Sequence, residues 1–453
     1  MKKITVLLIL FLCISCETEN EEFIISFGSC NKQYVENILW KEVAKNNPKV
    51  WIWGGDNVYS DTDSMPKLRA DYQKQWNQKG YKEFVNTVDV LATWDDHDYG
   101  LNDGGVEFYK KKESQQEFLD FLKVSKDDKR RKRMIYIALF LLSFVLTYFI
   151  KNYAIKKSLV AEVTDRSSHT TPTPHGGGIA IAITWFVGLT YLFLTQGIDV
   201  HLYYALMVGV FISVVSYFDD LFELSAKLRL LTQALVALFG LYFLGGFEQI
   251  NLFFFTIENQ VLTNVFAFFM IIWFINLYNF LDGIDGYAGS EAVFLGVAGF
   301  LLFGGAHFLV LGVAVLGFLV WNWHRAKIFM GDVGSTLLGY TVAIFTIYYA
   351  NEESSNFWIW IVLFGLFWFD ATLTLFRRYK NGEKLSQAHK KHAYQRLTQA
   401  GYGHDKVVLF SVGINVVLFC LVYFFEPVWF VFLVALVMLY GVMKYVDSKK
   451  VFS

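Results

Sequence analysis

From Met134 onward the chain is a succession of apolar stretches long enough to cross a bilayer, and this limits the fold more than any other feature. In hydrocarbon every backbone N–H and C=O must be paired within its own segment, so such runs fold as helices. About eleven spans begin near residues 134, 177, 200, 228, 262, 287, 305, 334, 356, 405 and 427. Composition agrees: 55% of the 453 residues are hydrophobic and 18% aromatic. The fold class expected is an all-α polytopic membrane protein of about eleven transmembrane helices, preceded by a signal peptide and a small α/β segment. A net charge of −1 singles out no partner. Cys13, Cys16, Cys30 and Cys420 form neither a disulfide framework nor a zinc spacing, and Cys420 reads as packing within a span.

The residues before Met134 divide into three parts. Residues 1–16 carry Lys2 and Lys3, an apolar run and Ile14-Ser15-Cys16, the pattern of a secretory signal. The small residue before Cys16 suggests lipoprotein-type cleavage, with an ordinary signal cut nearby as the alternative. Residues 17–123 are polar and form the α/β segment. Residues 124–133, with the run KDDKRRKR, form a basic linker, and 134–453 form the membrane domain. Strand patterns at 23–27, 50–53 and 88–93 end in Gly28-Ser29-Cys30, Gly54-Gly55-Asp56 and Trp94-Asp95-Asp96-His97-Asp98. Acidic residues just past strand ends suit hard metal ions such as Fe, Mn, Ca or Mg. Solvated strand-to-helix loops are the plainer alternative.

In the membrane domain, loops after odd-numbered spans carry Lys156, Lys157, Arg166, Lys227, Arg229, Arg325, Lys327, Arg377, Arg378, Lys380, Lys390, Lys391 and Arg396. Loops after even-numbered spans are short and carry almost no Lys or Arg. The positive-inside rule therefore makes the first set cytoplasmic. The N-terminal segment then lies outside, in accord with an export signal and against the preference of the KRRKR flank. Every polar constellation falls on the cytoplasmic side: HTTPTPHGGG (169–178), Asp219-Asp220, NLYNFLDGIDGYAG (276–289), FMGDVGS (329–335) and AHKKHAYQ (388–395).

Asn276, Asn279, Asp282 and Asp285 recur every three residues where one span runs into the next. A helix cap needs one such group. Four are costly at a span end unless they bind something, and the glycine after each aspartate lets the backbone turn close to a ligand. Asp219 and Asp220 stand at a helix C-terminus, where the dipole opposes negative charge and a cation would offset it. With Asp332, which could also be a plain cap in its Gly-Asp-x-Gly turn, these oxygens without a thiol suit Mg2+ or Mn2+. Such ions prefer few protein ligands plus substrate phosphates. His389, His392 and Arg396 are spaced to share one helical face, fit for a phosphate or for anionic lipid. Lys227 and Arg229 read either as phosphate ligands or as ordinary positive-inside residues. A metal-assisted phosphoryl transfer to a lipid phosphate accommodates these features. A transporter would instead place its ionisable groups in mid-span.

The segments SYFDDLFELSAKLRLLTQ, NLYNFLDGIDGYAG, IFMGDVGS and AHKKHAYQRL, in this order, resemble the polyprenyl-phosphate N-acetylhexosamine-1-phosphate transferase family over about residues 134–450. The AHKKHAYQ form is similar to the O-antigen-initiating branch of glycosyltransferase family 4. One departure is His324-Arg325 before Ala326, where relatives often have prolines. The resemblance implies a bundle of ten or eleven helices that moves a sugar 1-phosphate from a UDP-N-acetylhexosamine to undecaprenyl phosphate, releasing UMP. It implies Mg2+, with Mn2+ as the substitute. It makes Asp332 the principal metal ligand, helped by Asp219, and has Asp219 and Asp220 position or deprotonate the lipid phosphate. Asn279, Asp282 and Asp285 would hold the nucleotide-sugar and the metal, with Asp282 and Asp285 counted as catalytic beside Asp219 and Asp220. Asn276 would join in binding substrate, and Lys227, His389, His392 and Arg396 would bind the phosphates. The partners implied are both substrates and membrane lipid, with a homodimer as a further candidate and no nucleic acid. The location implied is the bacterial inner membrane.

Separately, SFGSCNKQ, WGGDNVYSD and ATWDDHDYGLNDGG resemble the start of alkaline phosphatase D-like metallophosphoesterases over about residues 27–120. That resemblance implies a metal site built from Cys30, Asp56, Tyr59, Asp95, Asp96 and His97. It covers only the first part of that family's fold, so the segment reads as a partial metallophosphoesterase and the alternative source of activity.

Overall fold

The computed structural model of the chain describes residues 23–105, 107–126, 128–157, 160–161, 172–195, 197–385, 387 and 389–452. The expected leader with Cys13 and Cys16, and also Arg166 and His169, lie outside the described residues. The chain divides into two units, Met1–Arg131 and Lys132–Ser453.

In the first unit three short apolar runs form a parallel sheet in the order β1 (Ile25–Gly28), β2 (Val50–Gly54), β3 (Asp89–Thr93). Ile52 pairs with Phe27 on one side and Leu91 on the other. Side chains alternate along a strand, so Trp51 and Trp53 point to the same face. Both are buried there, edge-on to each other and to Trp40 of α1 (Trp40–Ala44), with ring centroids 5.3 to 5.6 Å apart. Helices α2 (Met65–Trp76) and α3 (Tyr81–Val85) add Leu68, Tyr72, Tyr81 and Phe84 to this core. After β3 come α4 (Asp96–Tyr99) and α5 (Lys111–Phe121), the latter adding Phe118 and Phe121. Because the strands are parallel, their C-terminal ends share one edge of the sheet. The residues that follow them therefore come together.

The second unit is helical, apart from two short strand pairs among the described residues: β4 (Val160–Ala161) with β5 (Thr173–Pro174), and β6 (Ile250–Asn251) with β7 (Thr256–Ile257). Its helices are α6 (Lys129–Lys156), α7 (Gly178–Leu194), α8 (Val200–Met207), α9 (Gly209–Phe222), α10 (Ala226–Leu244), α11 (Gln260–Phe280), α12 (Tyr287–Phe303) and α13 (Ala306–Asn322). Then follow α14 (Asp332–Glu352), α15 (Asn356–Leu363), α16 (Gly365–Lys380), α17 (Ala393–Gln399), α18 (His404–Phe424) and α19 (Val428–Lys449).

These helices begin close to the residues where the eleven spans were expected. Among the described residues seven segments are long and apolar enough to cross a membrane: α6 from Ile135, α8 with α9, α10, α11, α14, α18 and α19. The pair α15 and α16, bent by 73°, makes an eighth. Helices α7, α12 and α13 have 17 residues each, about 26 Å, which is short of a hydrocarbon core of roughly 30 Å. Helix length thus supports seven or eight of the eleven crossings expected.

Helix α14 is buried along almost its whole length and packs against α11 and α9. Small residues allow the approach: a methyl group at Gly339 would lie 2.5 Å from Phe274 O of α11. The C-termini of α9 and α11 and the N-terminus of α14 meet at one end of the bundle, where Asp220, Asn279 and Asp332 are hydrogen-bonded together.

Candidate active site

At that end Asp332 opens α14 just after Gly331, whose φ of 77° suits glycine. A carboxylate at a helix N-terminus is favoured by the exposed N–H groups and the dipole. Asn279 Nδ2 donates 2.9 Å to Asp332 Oδ1 and 2.9 Å to Ser335 Oγ. The Asp332 N–H donates to Asp220 Oδ1 at 3.3 Å. Asp219 is buried, accepts from the Leu224 N–H at 2.7 Å and has Arg229 Nη1 3.5 Å from Oδ2. Arg229 is thus the cation that offsets the unfavourable helix end. Lys227 is exposed.

Successive aspartates face different cavities. Asp219, with Arg229, Asn276, Asn279 and Asp332, lines one of about 350 Å3. Asp220, with His175, Gly176 and Tyr217, lines another of about 240 Å3. Asn276 holds Gln233 through its amide at 2.7 Å. His175 arrives because the Gly177 and Gly178 N–H groups donate to Phe329 O and Met330 O, at 2.9 and 2.8 Å. The glycine-rich turn is therefore zipped onto the loop that carries Asp332. Burial pulls the His175 imidazole below its ordinary value, against the pull of Asp332. Asp220 Oδ2 is buried without a hydrogen-bond partner among the described residues. An oxygen-only cluster with an unpartnered buried carboxylate oxygen fits a hard divalent cation.

The two aspartates of the Asp-Gly-Ile-Asp turn diverge. Burial pushes the Asp282 carboxyl up to about 7, and the Asp332 and Asp220 carboxylates push the same way. Asp285 is tied down instead. Its Oδ2 lies 3.2 Å from His324 Nδ1, 3.2 Å from His404 Nδ1 and 3.2 Å from the Ala326 N–H. Burial opposes ionisation of Asp285, but these donors outweigh it and hold the carboxyl below its usual range. The three side chains place ligand-type atoms within 4.8 Å of one another, and the Asp285 N–H also donates to His404 Nδ1 at 3.3 Å.

The basic loop differs from expectation. Helix α17 starts at Ala393, so His389 and His392 precede it, and no single helical face carries them with Arg396. Asp370, buried in α16, accepts from the Ala393 N–H at 2.9 Å and so fixes the start of α17. His392 is buried, its ring 4.8 Å from that of His389. Burial, with His392 and Arg378 nearby, pulls the His389 imidazole down to about 4. Arg396 is turned inward. It is buried, and its Nη1 is taken up by Asp447 at 2.7 Å and Lys450 O at 3.0 Å. Arg378 is also buried; it donates to Glu383 and to three backbone carbonyls of residues 384–387, and so shapes the loop.

In the first unit the strand ends bring Asp56, Asp96 and His97 to within 4.8 Å of one another. Cys30 Sγ and Tyr59 OH both donate to Asp56 Oδ2, at 3.6 and 3.1 Å, while Asp56 Oδ1 is buried without a partner. His97 Nδ1 is 2.6 Å from Asp61 Oδ1, which holds the imidazole above its ordinary value although burial opposes this. Asp95 stands apart as the N-cap of α4, its carboxylate accepting from the Asp96 N–H at 3.0 Å.

His175, His324 and His404 were not among the site residues expected from the sequence. His404 stands with Asp405 and Lys406 ahead of an apolar span, and nothing local ties it to Asp285, 119 positions earlier.

Residues 202–350 match the model of the family described as glycosyl transferase family 4. A probable undecaprenyl-phosphate N-acetylglucosaminyl 1-phosphate transferase of Bacillus subtilis is 31% identical over 304 residues, which cover 62% of this chain and 82% of the relative. A decaprenyl-phosphate N-acetylglucosaminephosphotransferase of Mycobacterium tuberculosis is 29% identical over 314 residues, with 58% and 76% covered. An undecaprenyl-phosphate alpha-N-acetylglucosaminyl 1-phosphate transferase of Yersinia pestis is 28% identical over 304 residues, with 59% and 77% covered.

Proposed function

We propose, from the premise that this chain belongs to glycosyl transferase family 4, that it is a multi-pass membrane phosphotransferase carrying an N-acetylhexosamine 1-phosphate from a UDP-sugar to undecaprenyl phosphate. The P–O bond joining the two phosphates of the donor breaks, UMP leaves, and a new P–O bond to the lipid phosphate forms. The observation that carries this reading is the meeting of Asp219, Asp220, Asn279 and Asp332 at three helix ends, where Asp219, Asn279 and Asp332 line one cavity and Asp220 another. Carboxylates gathered at one membrane face suit a reaction between a lipid phosphate and an anionic donor.

Asp332 and Asp219 would hold Mg2+ or Mn2+, which when bound would neutralise charge on the donor diphosphate. Asn279 keeps Asp332 oriented through its amide, and Arg229 does the same for Asp219. Asp220, whose Oδ2 has no hydrogen-bond partner among the described residues, and Asp282, whose carboxyl is pushed up to about 7, receive the lipid phosphate and its proton. Asn276 and the loop of His389 and His392 contact the donor, and exposed Lys227 attracts phosphate. Asp285 acts through the loop it anchors. The site faces the cytoplasm of a bacterial inner membrane, the N-terminal segment faces the other side, and the product begins a lipid-linked cell-envelope polysaccharide such as an O-antigen. N-acetylglucosamine, which the relatives' names give, is the first donor to try.

The test uses membranes bearing the chain, supplied with undecaprenyl phosphate and a panel of UDP-N-acetylhexosamines. UMP release that needs both the lipid and Mg2+ is expected. Release without either overturns the reading.

A second reading rests on the first unit, where Asp56, Asp96 and His97 converge and Asp56 Oδ1 lacks a partner. A metal held there would support phosphoester hydrolysis. The full chain would then cleave a chromogenic phosphodiester, with turnover lost in Asp56→Asn and kept in Asp332→Asn. No turnover by metal-supplemented wild type removes this reading.

A further inference from the structure

Away from the carboxylate cluster, two polar side chains meet inside the bundle. Glu291 of α12 is 2% exposed and Asn415 of α18 is 1% exposed. Asn415 Nδ2 donates to Glu291 Oε2 at 2.6 Å. The two oxygens left over, Glu291 Oε1 and Asn415 Oδ1, are both buried and, among the described residues, both lack a hydrogen-bond partner. Tyr278 and Tyr287 are the other titratable groups facing Glu291, and neither carries a positive charge.

If Glu291 is ionised, both leftover atoms are acceptors and no donor serves either. An unpaired carboxylate between apolar helices is among the costliest arrangements a bundle can hold. A single proton removes both deficits. Placed on Glu291 Oε1, it turns that atom into a donor, and the acceptor it needs belongs to the same partner side chain. A carboxylic acid and a primary amide are complementary in this way, each supplying one donor and one acceptor along one edge.

We propose that Glu291 is a neutral acid closed onto Asn415 by two opposed hydrogen bonds, and that this pair sets the register of α12 against α18. Both helices begin at the candidate site. Helix α12 follows directly on the turn that carries Asp282 and Asp285, and α18 begins with His404, which lies against Asp285. Fixing one helix along the other fixes His404 opposite Asp285, so Glu291 is a positioning residue for that turn. The inference rests on the transferase reading only where activity is the readout.

The test uses the full chain in lipid nanodiscs. Glu291→Gln keeps a two-bond pair, amide to amide. Glu291→Leu strands Asn415, and Glu291→Leu with Asn415→Leu removes both partners. The Gln variant is expected to melt with the wild type and to release UMP at its rate. The single Leu variant should melt a few degrees lower and lose most UMP release, and the double variant should recover most of the melting temperature. The infrared difference between wild type and Glu291→Gln at neutral pH should show the C=O stretch of a protonated carboxyl. Absence of that band overturns the proposal. So does a Gln variant that melts normally yet loses UMP release, because the charge of Glu291 would then be in use. If the Leu variant fails to fold, the Gln variant and the infrared band still decide. If the wild type releases no UMP, the transferase reading fails, while the band and the melting temperatures still judge the pair.

Discussion

Asp282 and Asp285 sit three residues apart in one turn, each followed by glycine, and live in opposite surroundings. Asp282 has other carboxylates as its electrostatic neighbours, and its own carboxyl is pushed up to about 7 by burial. Asp285 is ringed by His324, His404 and the Ala326 N–H and is held ionised. The difference teaches that a repeated motif is not a repeated role. A carboxyl crowded by other carboxylates destabilises the fold and persists where a ligand or proton makes use of it. A carboxylate supplied with donors binds the chain to itself. On the proposed mechanism Asp282 belongs to the chemistry, and Asp285 to the scaffold that presents it.

The largest effect that would sharpen this contrast is in Asp282→Asn. UMP release should fall on the order of a hundredfold with the melting temperature unchanged or raised. A fall in stability instead would erase the contrast. Next, Asp285→Asn should lower stability by about 1–3 kcal/mol, since it leaves buried donors poorly matched. Because the folded carboxyl lies below its unfolded value, this stability is present above the ordinary carboxyl range and is lost as pH falls through the folded value. Melting curves of wild type and variant should thus converge in acid and separate near neutrality. Separation that persists in acid would assign the effect to packing. Smaller still, Arg396→Met should lower the melting temperature through loss of Asp447 and leave the donor KM alone. A raised KM with normal melting would restore Arg396 to the substrate. The smallest change is expected in Lys227→Met, an exposed residue, where KM rises less than about tenfold and falls in sensitivity to salt.

Much of this was legible in the sequence. Apolar run lengths located the helices, and the side of each polar cluster could be counted from loop to loop, which is why Asp219, Asp220, Asn279 and Asp332 were expected together. What was hidden depends on contacts between distant positions. The spacing of His389, His392 and Arg396 suits a helix, but Asp370 delays the helix to Ala393, and Asp447, 51 positions beyond Arg396, draws that side chain inward. Asp285 finds His404 only because α12 and α18 are packed side by side. Glu291 pairs with Asn415, 124 positions later, and nothing local in either apolar span points to the other. In the first unit Asp95 shared the acidic run with Asp96, and only the local backbone made one a cap and the other part of a cluster.

The account turns on Asp332. UMP release should be followed in membranes bearing equal amounts of folded wild type and Asp332→Asn, with undecaprenyl phosphate, Mg2+ and UDP-N-acetylglucosamine or the donor the panel identifies. The account predicts lipid-dependent release by the wild type and a loss of at least about a hundredfold in the variant. Equal release by the two would place the chemistry elsewhere and contradict it.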